Sequence, residues 1–312
     1  MTIESLIIIL GIITFGVILG ALLIYFLKTI SQQEKRVVQA LNLTFFKIKK
    51  GFEEKPEFSE NFYNFLHSFG ENWFKTFEHG RSLIVFEMAK RENFGARTPN
   101  VKTEINEGRE SYFGESDIEF YLACQRKEKK FILDNFLKFW PDFELIETEA
   151  PNFFTPREKG QGLEVSLEKP FVLPIKTYTP SEDLFNRVFE IFQRSRGKVI
   201  MQILLKPTFY SLKEIKPPSH AVKQKAEKPS FDLNIGFLSP GRDLTDAKLN
   251  LVALEKLFEE VRDKNYNNIY NNLKVKTPGD LNEFIFNFVF RVFDPSKNVI
   301  LNSEELATIF HL

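Results

Sequence analysis

The chain has almost no cysteine: Cys124 is the only one in 312 residues. An intrachain disulfide is excluded, and a reducing compartment is expected. Cys124 falls on the apolar face of a strand pattern, where packing accounts for it. An excess of charge is also missing. Lysine plus arginine number 42 and aspartate plus glutamate 42, so direct nucleic-acid binding, which calls for a basic surplus, is disfavoured. Sequence motifs of catalysis are missing too. Gly197-Lys198-Val199 lacks both the leading glycine and the hydroxyl residue of a phosphate-binding loop. Gly160-Gln161-Gly162 precedes a strand pattern instead of opening a helix, so it is no dinucleotide fingerprint. There is no HExxH, no CxxC and no paired-histidine spacing, and His67, His79, His220 and His311 are scattered. Glu144, Glu147 and Glu149 read as a solvated strand edge. The sequence therefore assigns no catalytic, cofactor-binding or metal-binding residue, and the expectation is a chain that is not an enzyme and carries no cofactor.

Two things are abundant. Phenylalanine occurs 35 times, which supplies ample burial for a packed body. The stretch Leu6–Leu27, LIIILGIITFGVILGALLIYFL, is apolar without interruption. Its ~22 residues would make a helix roughly 33 Å long, enough for a hydrocarbon core of about 30 Å. A cleaved signal peptide fits poorly, because only Glu4 is charged before the run and no small-residue cleavage site follows. The expectation is a single-pass transmembrane anchor at 6–27 with a juxtamembrane stalk to residue 39. Lys28, Lys35 and Arg36 follow the run and no basic residue precedes it, which places the body in the cytoplasm. Gly16 and Gly20 form a GxxxG, a spacing that allows two anchors to pack closely and self-associate, although glycine is common in membrane helices.

The body repeats one element order. From 40 to 155 the patterns read strand (Leu41–Lys49), helix (the stripe Phe58, Phe62, Phe65, Phe69, Trp73, Phe77), strand (Leu83–Ala89), strand (Ile118–Cys124), helix (Lys127–Trp140) and strand (Phe143–Glu149). A polar stretch, Lys90–Ser116, interrupts it and holds a further strand pattern at Val101–Ile105. From 160 to 300 the order recurs. Leu163, Val165 and Leu167 alternate with polar residues, and that strand is expected to run through Pro170 toward Tyr178. Thr179-Pro180-Ser181-Glu182 opens a helix, and Val199–Leu205 is a strand. A Lys- and Pro-rich loop occupies 213–230 and is expected to be exposed. Phe231–Phe237 alternates as a strand, Leu244–Val261 is helical, the Asn-rich Asn265–Asn272 breaks it, and Phe284–Phe290 reads as the last strand, with four Phe at spacing two. The predicted class is α+β: a transmembrane helix followed by two ferredoxin-like βαββαβ modules side by side. The sheet face opposite the helices needs a cover, either the other module or a partner.

Three segments carry a family resemblance. They are Trp140-Pro141-Asp142 running into Glu144–Glu149; Lys169-Pro170-Phe171-Val172-Leu173-Pro174-Ile175-Lys176-Thr177-Tyr178 with Met201-Gln202-Ile203-Leu204-Leu205-Lys206-Pro207 after it; and Ile300-Leu301-Asn302-Ser303-Glu304-Glu305-Leu306 continuing to Leu312. Together they resemble the membrane-anchored N-terminal region found ahead of TraG/HerA-like conjugative ATPases of bacterial type IV secretion-like systems. The resemblance implies a terminal helix, 301–312, leading toward an ATPase domain. The Walker motif is not in this sequence, so the ATPase is expected on a separate chain or beyond a truncation. Asn302 or Ser303 caps that helix, and Glu304, Glu305, Leu306, Ile309 and Phe310 become a candidate partner junction. The implied function is a non-catalytic scaffold that positions a translocation ATPase at the cytoplasmic (inner) membrane. The alternative is a membrane-tethered protein- or lipid-binding module unrelated to an ATPase.

Overall fold

The computed structural model describes residues 14–25, 34, 36–49, 61–68, 83–90, 118–154, 158–177, 184–195, 197–208, 220–241, 244–272 and 278–311. Alternating apolar side chains make the strands: β1 (Leu43–Lys49), β2 (Ile84–Lys90), β3 (Ile118–Gln125), β4 (Glu144–Thr148), β5 (Lys159–Leu167), β6 (Val199–Pro207), β7 (Ser230–Gly241), β8 (Ile269–Asn272) and β9 (Val299–Asn302). Besides a helix at residues 14–25, the helices among the described residues are α1 (residues 36–41), α2 (residues 61–68), α3 (Lys129–Phe139), α4 (Leu184–Arg194), α5 (His220–Ala226), α6 (Leu244–Glu260), α7 (Pro278–Phe290) and α8 (Ser303–Ile309).

The strands form a single nine-stranded sheet in the order β4-β1-β3-β2-β6-β7-β5-β8, with β9 paired to β7. Every ladder is antiparallel. This corrects the predicted class of two ferredoxin-like modules. What would be a free edge of each module, β2 and β6, is paired from Ile84↔Leu205 to Lys90↔Val199. An unpaired edge offers a row of backbone donors and acceptors, and here each edge serves the other.

The transmembrane part of the prediction is corrected as well. Among the described residues no helix is long and apolar enough to cross a membrane; this finding stands against the predicted single-pass anchor and the cytoplasmic-membrane location, and of the predicted span only residues 14–25 are described. Residues 14–25 are helical, and a Cβ built on Gly16 or Gly20 meets no described atom within 4 Å. Leu6, Leu27, Lys28 and Lys35 lie outside the described residues, and Arg36 is half-buried in α1. The strand pattern at Val101–Ile105 and the first turn at Thr179–Glu182 also lie outside them.

One sheet face carries the main core. Phe46, Phe86, Leu122, Met201, Ile203, Leu233 and Phe237 are buried there with Phe62 and Phe65 of α2, Phe136 of α3, Phe192 of α4, Phe258 of α6 and Leu306 of α8. Phe310, just past α8, is fully buried and packs its ring 5.4 Å from Phe62, 5.6 Å from Phe86 and 5.2 Å from Phe185. The chain's last element therefore bridges both halves of the sheet.

The opposite face is covered by this chain itself. The segment predicted as the last strand, Phe284–Phe290, is the body of helix α7. Phe284 and Phe288 pack on Tyr121, Ile200 and Leu238, while Phe286 and Phe290 face outward. Phe at every second position satisfies an i,i+4 face as well as a strand face, and the packing of Phe284 and Phe288 on the sheet goes with the helix. Space for Phe284 comes from Gly162 of β5, where a Cβ would overlap the ring.

α7 ends on Arg291, whose φ of 55° puts a non-glycine residue in the left-handed region. Its guanidinium explains the position. Nε donates to Glu87 Oε1 at 2.9 Å, Nη2 to Glu87 Oε2 at 3.1 Å and to the Pro151 carbonyl at 3.0 Å, and Nη1 to the Val289 carbonyl at 2.6 Å. Gln202 Nε2 also donates to Glu87 Oε1, at 2.7 Å. Glu87 and Gln202 face each other in the β2–β6 ladder, so this buried cluster clamps α7 over the joint between the halves.

Candidate functional site

After β5 the chain enters Lys169-Pro170-Phe171-Val172-Leu173-Pro174-Ile175 and leaves the sheet, contrary to the predicted strand continuation. Pro170 and Pro174 lack N–H groups and cannot extend a ladder. The strap is held instead by Asn267, which is almost fully buried. Its Oδ1 accepts from Lys169 N at 2.8 Å. Its Nδ2 donates to the carbonyls of Lys169 (2.9 Å), Pro170 (3.1 Å) and Leu173 (3.3 Å). Its own N–H donates to the Pro174 carbonyl at 2.8 Å. An amide side chain suits this position because it carries a donor and an acceptor side by side, as the backbone does.

The far end of the strap is tied to α8. Ile175 N donates to Glu305 Oε1 at 2.9 Å. Glu305 also closes a capping box: its N–H donates to Asn302 Oδ1 at 2.9 Å, and Asn302 N donates to Glu305 Oε2 at 2.8 Å. Lys225 of α5 lies 3.0 Å from Glu305 Oε2, with the two side chains 0% and 1% exposed. Burial pushes the Glu305 carboxyl up, opposed first by the Lys225 ammonium. Burial likewise pulls Lys225 below the usual lysine range, opposed by Glu305.

Between the strap, α4 and the end of α6 lies a cleft of about 330 Å³. Its floor is apolar, formed by buried Ile175, Leu184, Phe258 and Ile269. Ion pairs set its rim. Arg187 of α4 meets Glu260 of α6 at 2.5 Å, and Arg262 pairs with Glu168. Asn268 Nδ2 donates to Glu168 Oε2 at 2.8 Å, while its Oδ1 accepts from Asp263 N at 2.8 Å. The Asn268 hydrogen bond, with Arg262 assisting, holds the Glu168 carboxyl below the ordinary glutamate range. The buried amides of Asn267 and Asn268 are thus hydrogen-bonded through both oxygen and nitrogen before any ligand arrives, and the walls are preorganised.

The structure scatters the residues singled out from sequence. Of the candidate junction, Glu305, Leu306, Ile309 and Phe310 are buried in the core, and Glu304 is partly exposed and paired with Lys228. The Lys-rich stretch, expected as an exposed loop, is helical at His220–Ala226 and contributes the buried Lys225. Cys124 is buried, and desolvation pushes its thiol up to about 12. Glu144 and Glu147 sit on the β4 edge with Lys49 and Lys129 at 3.7 and 2.6 Å. Among the described residues no group of three His, Cys, Asp or Glu side chains is arranged to hold a metal. Sequence reasoning passed over the cleft. Its signals were the two prolines of the strap and the Asn-rich Asn265–Asn272, read as a strand and as a helix breaker.

No family model and no curated protein matches the chain. Among solved structures it is similar to CrmK, a flavoenzyme involved in shunt product recycling in caerulomycin biosynthesis, at 8% identity over 76% of this chain and 47% of that one, with a TM-score of 0.35. It is similar to aclacinomycin oxidoreductase at 10% identity over 72% and 44%, TM-score 0.32. It is similar to the glycopeptide hexose oxidase DBV29 in complex with teicoplanin at 12% identity over 85% and 54%, TM-score 0.33. The chain spans about half the length of these structures. Likeness of this size transfers neither fold nor chemistry. The predicted membrane-anchored scaffold of a type IV secretion ATPase and its membrane-tethered alternative are corrected on the finding that, among the described residues, no helix is long and apolar enough to cross a membrane, and the expectation that the chain is not an enzyme is withdrawn.

Proposed function

We propose that this chain is a small-molecule-binding protein whose ligand occupies the cleft between the strap, α4 and α6. One observation carries the reading: a recess of about 330 Å³ combines an apolar floor with walls whose buried amides are already locked. Ligand sites of folded proteins begin at roughly 300 Å³ and set polar groups around an apolar part. A recess of this size suits a metabolite with one ring or a short chain. Fixed walls reduce the ordering cost of binding, which otherwise consumes much of the gain from apolar contact.

The test is a titration of the whole chain with small aromatic and aliphatic fragments, read by methyl NMR of isoleucine. Saturable shifts are expected at Ile175 and Ile269 on the floor. Val261→Trp, on the half-buried wall, fills the recess and abolishes them while the circular dichroism spectrum stays unchanged. Shifts that survive Val261→Trp, or no saturable shift at either isoleucine, would sink the reading.

A further inference from the structure

Resting on that reading, we propose that the cleft selects small organic acids: an apolar body on the floor and a carboxylate, or a like anion, at the rim. The argument comes from which polar groups still have bonding capacity. Five charged residues line the recess, the cations Lys176, Arg187 and Arg262 and the acids Glu260 and Asp263. The two arginines are lightly used. Arg187 gives one N–H to Glu260, and Arg262 gives one to Glu168. A guanidinium carries five N–H donors in a planar fork that matches a carboxylate. Their side chains are 46% and 43% exposed, so water holds the remaining donors and a ligand anion replaces that water.

The acceptors are each partly engaged. Asn267 and Asn268 have both ends of their amides engaged. Glu260 faces Arg187, and Asp263 Oδ1 accepts from Asn265 N at 2.9 Å. A cationic head would meet two guanidinium groups and would have to compete with Arg187 for Glu260, and a neutral amide would gain no bond between opposite charges. A carboxylate gains charge-assisted hydrogen bonds from the arginine forks. The floor then takes the hydrocarbon part, because Ile175, Leu184, Phe258 and Ile269 present no polar atom from their side chains.

Three isosteric probes separate this inference from the reading beneath it: phenylbutyrate, its neutral amide and the corresponding phenylbutylammonium. Each is titrated at pH 7 into the whole chain, with the Ile175 and Ile269 methyl groups as reporters, so that contact elsewhere on the protein is not counted. The acid is expected to bind about tenfold more tightly than the amide, the worth of one charge-assisted hydrogen bond, and the ammonium more weakly than either. Raising the salt concentration narrows the preference. Arg187→Gln with Arg262→Gln removes it while leaving the amide's affinity in place. Arg262→Gln alone narrows it and serves if the double variant fails to fold. Equal or tighter binding of the amide or the ammonium, seen at the same two methyl groups, overturns the acid preference and leaves the cleft standing. No shift from any probe overturns both.

Discussion

The two halves of the sheet run nearly the same element order and are put to different uses. The core of the first, β4-β1-β3-β2, is rich in aromatic rings. Phe62, Phe65, Phe86, Phe136 and Trp140 stand within about 6.5 Å of their neighbours' centroids. Such pairs each add about 0.5–1.5 kcal/mol beyond the area they bury. The second half, β6-β7-β5-β8, has aromatic core residues too, and it buries Asn267, Lys225, Glu305 and Ser303 outside its strands. The strands follow apolar stripes, which need only the right period, with Glu87 and Gln202 buried where the two halves join. The strap, α5 and α8 need partners fixed in direction, and hydrogen-bonded amides and a buried ion pair supply them. The cleft arises beside the strap.

Breaking the joint between the halves is expected to have the largest effect. Glu87→Leu leaves the Arg291 guanidinium buried without its carboxylate, which costs about 3–5 kcal/mol. Urea unfolding should show the loss as a lower midpoint. Arg291→Met in the same chain should restore much of it, because replacing a whole buried pair with apolar groups is far cheaper than removing one member. A single variant that unfolds at the parental midpoint would show that the clamp does not hold the halves together.

The next change sharpens the contrast by touching the second half alone. Asn267→Asp removes the donor from three strap carbonyls and turns an anionic oxygen toward them, at a cost of about 2–3 kcal/mol. Hydrogen exchange should accelerate at the amides of Lys169, Phe171, Val172 and Leu173, with the β1–β3 ladder unchanged. Uniform acceleration across both halves would mean that the strap is not a separate unit.

The smallest effect falls in the first half and depends on pH. Glu128 follows β3; its Oε2 is buried with no hydrogen-bond partner among the described residues. Desolvation raises its pKa from 4.5 to about 7, with Lys127 opposing. A carboxyl whose folded pKa exceeds its unfolded value contributes most below the unfolded value, and the contribution is lost as pH rises through the folded one. Allowing for solvent screening, the loss between pH 5 and pH 8 is on the order of 1–2 kcal/mol. Glu128→Gln should flatten that slope and raise the melting temperature at pH 8. An unchanged slope would place the titrating group elsewhere.

Much of the frame was legible. The strands at Leu43–Lys49, Ile118–Gln125 and Val199–Pro207 and the helices at Lys129–Phe139 and Leu244–Glu260 follow apolar periods visible in the sequence. α7 was misread because Phe284, Phe286, Phe288 and Phe290 satisfy both periods, and only the packing of Phe284 against Gly162 and Gly236 shows which two face inward. The cleft was not legible. Asn267 reaches Lys169 across 98 positions and Glu305 reaches Ile175 across 130, and no local pattern marks either bond.

The sequence by itself determined the alternation of strands and helices, the surplus of Phe for the core and the burial of Cys124, because each depends on periods and composition within a few residues. The tertiary structure decided that β2 and β6 join two sets of strands into one sheet, that α7 covers the second face, that the terminal Glu305, Leu306, Ile309 and Phe310 lie in the core, and that a strap and two helices enclose a cleft. Edge strands carry generic backbone donors and acceptors, and the partner each one takes is set by whatever the whole chain brings alongside it.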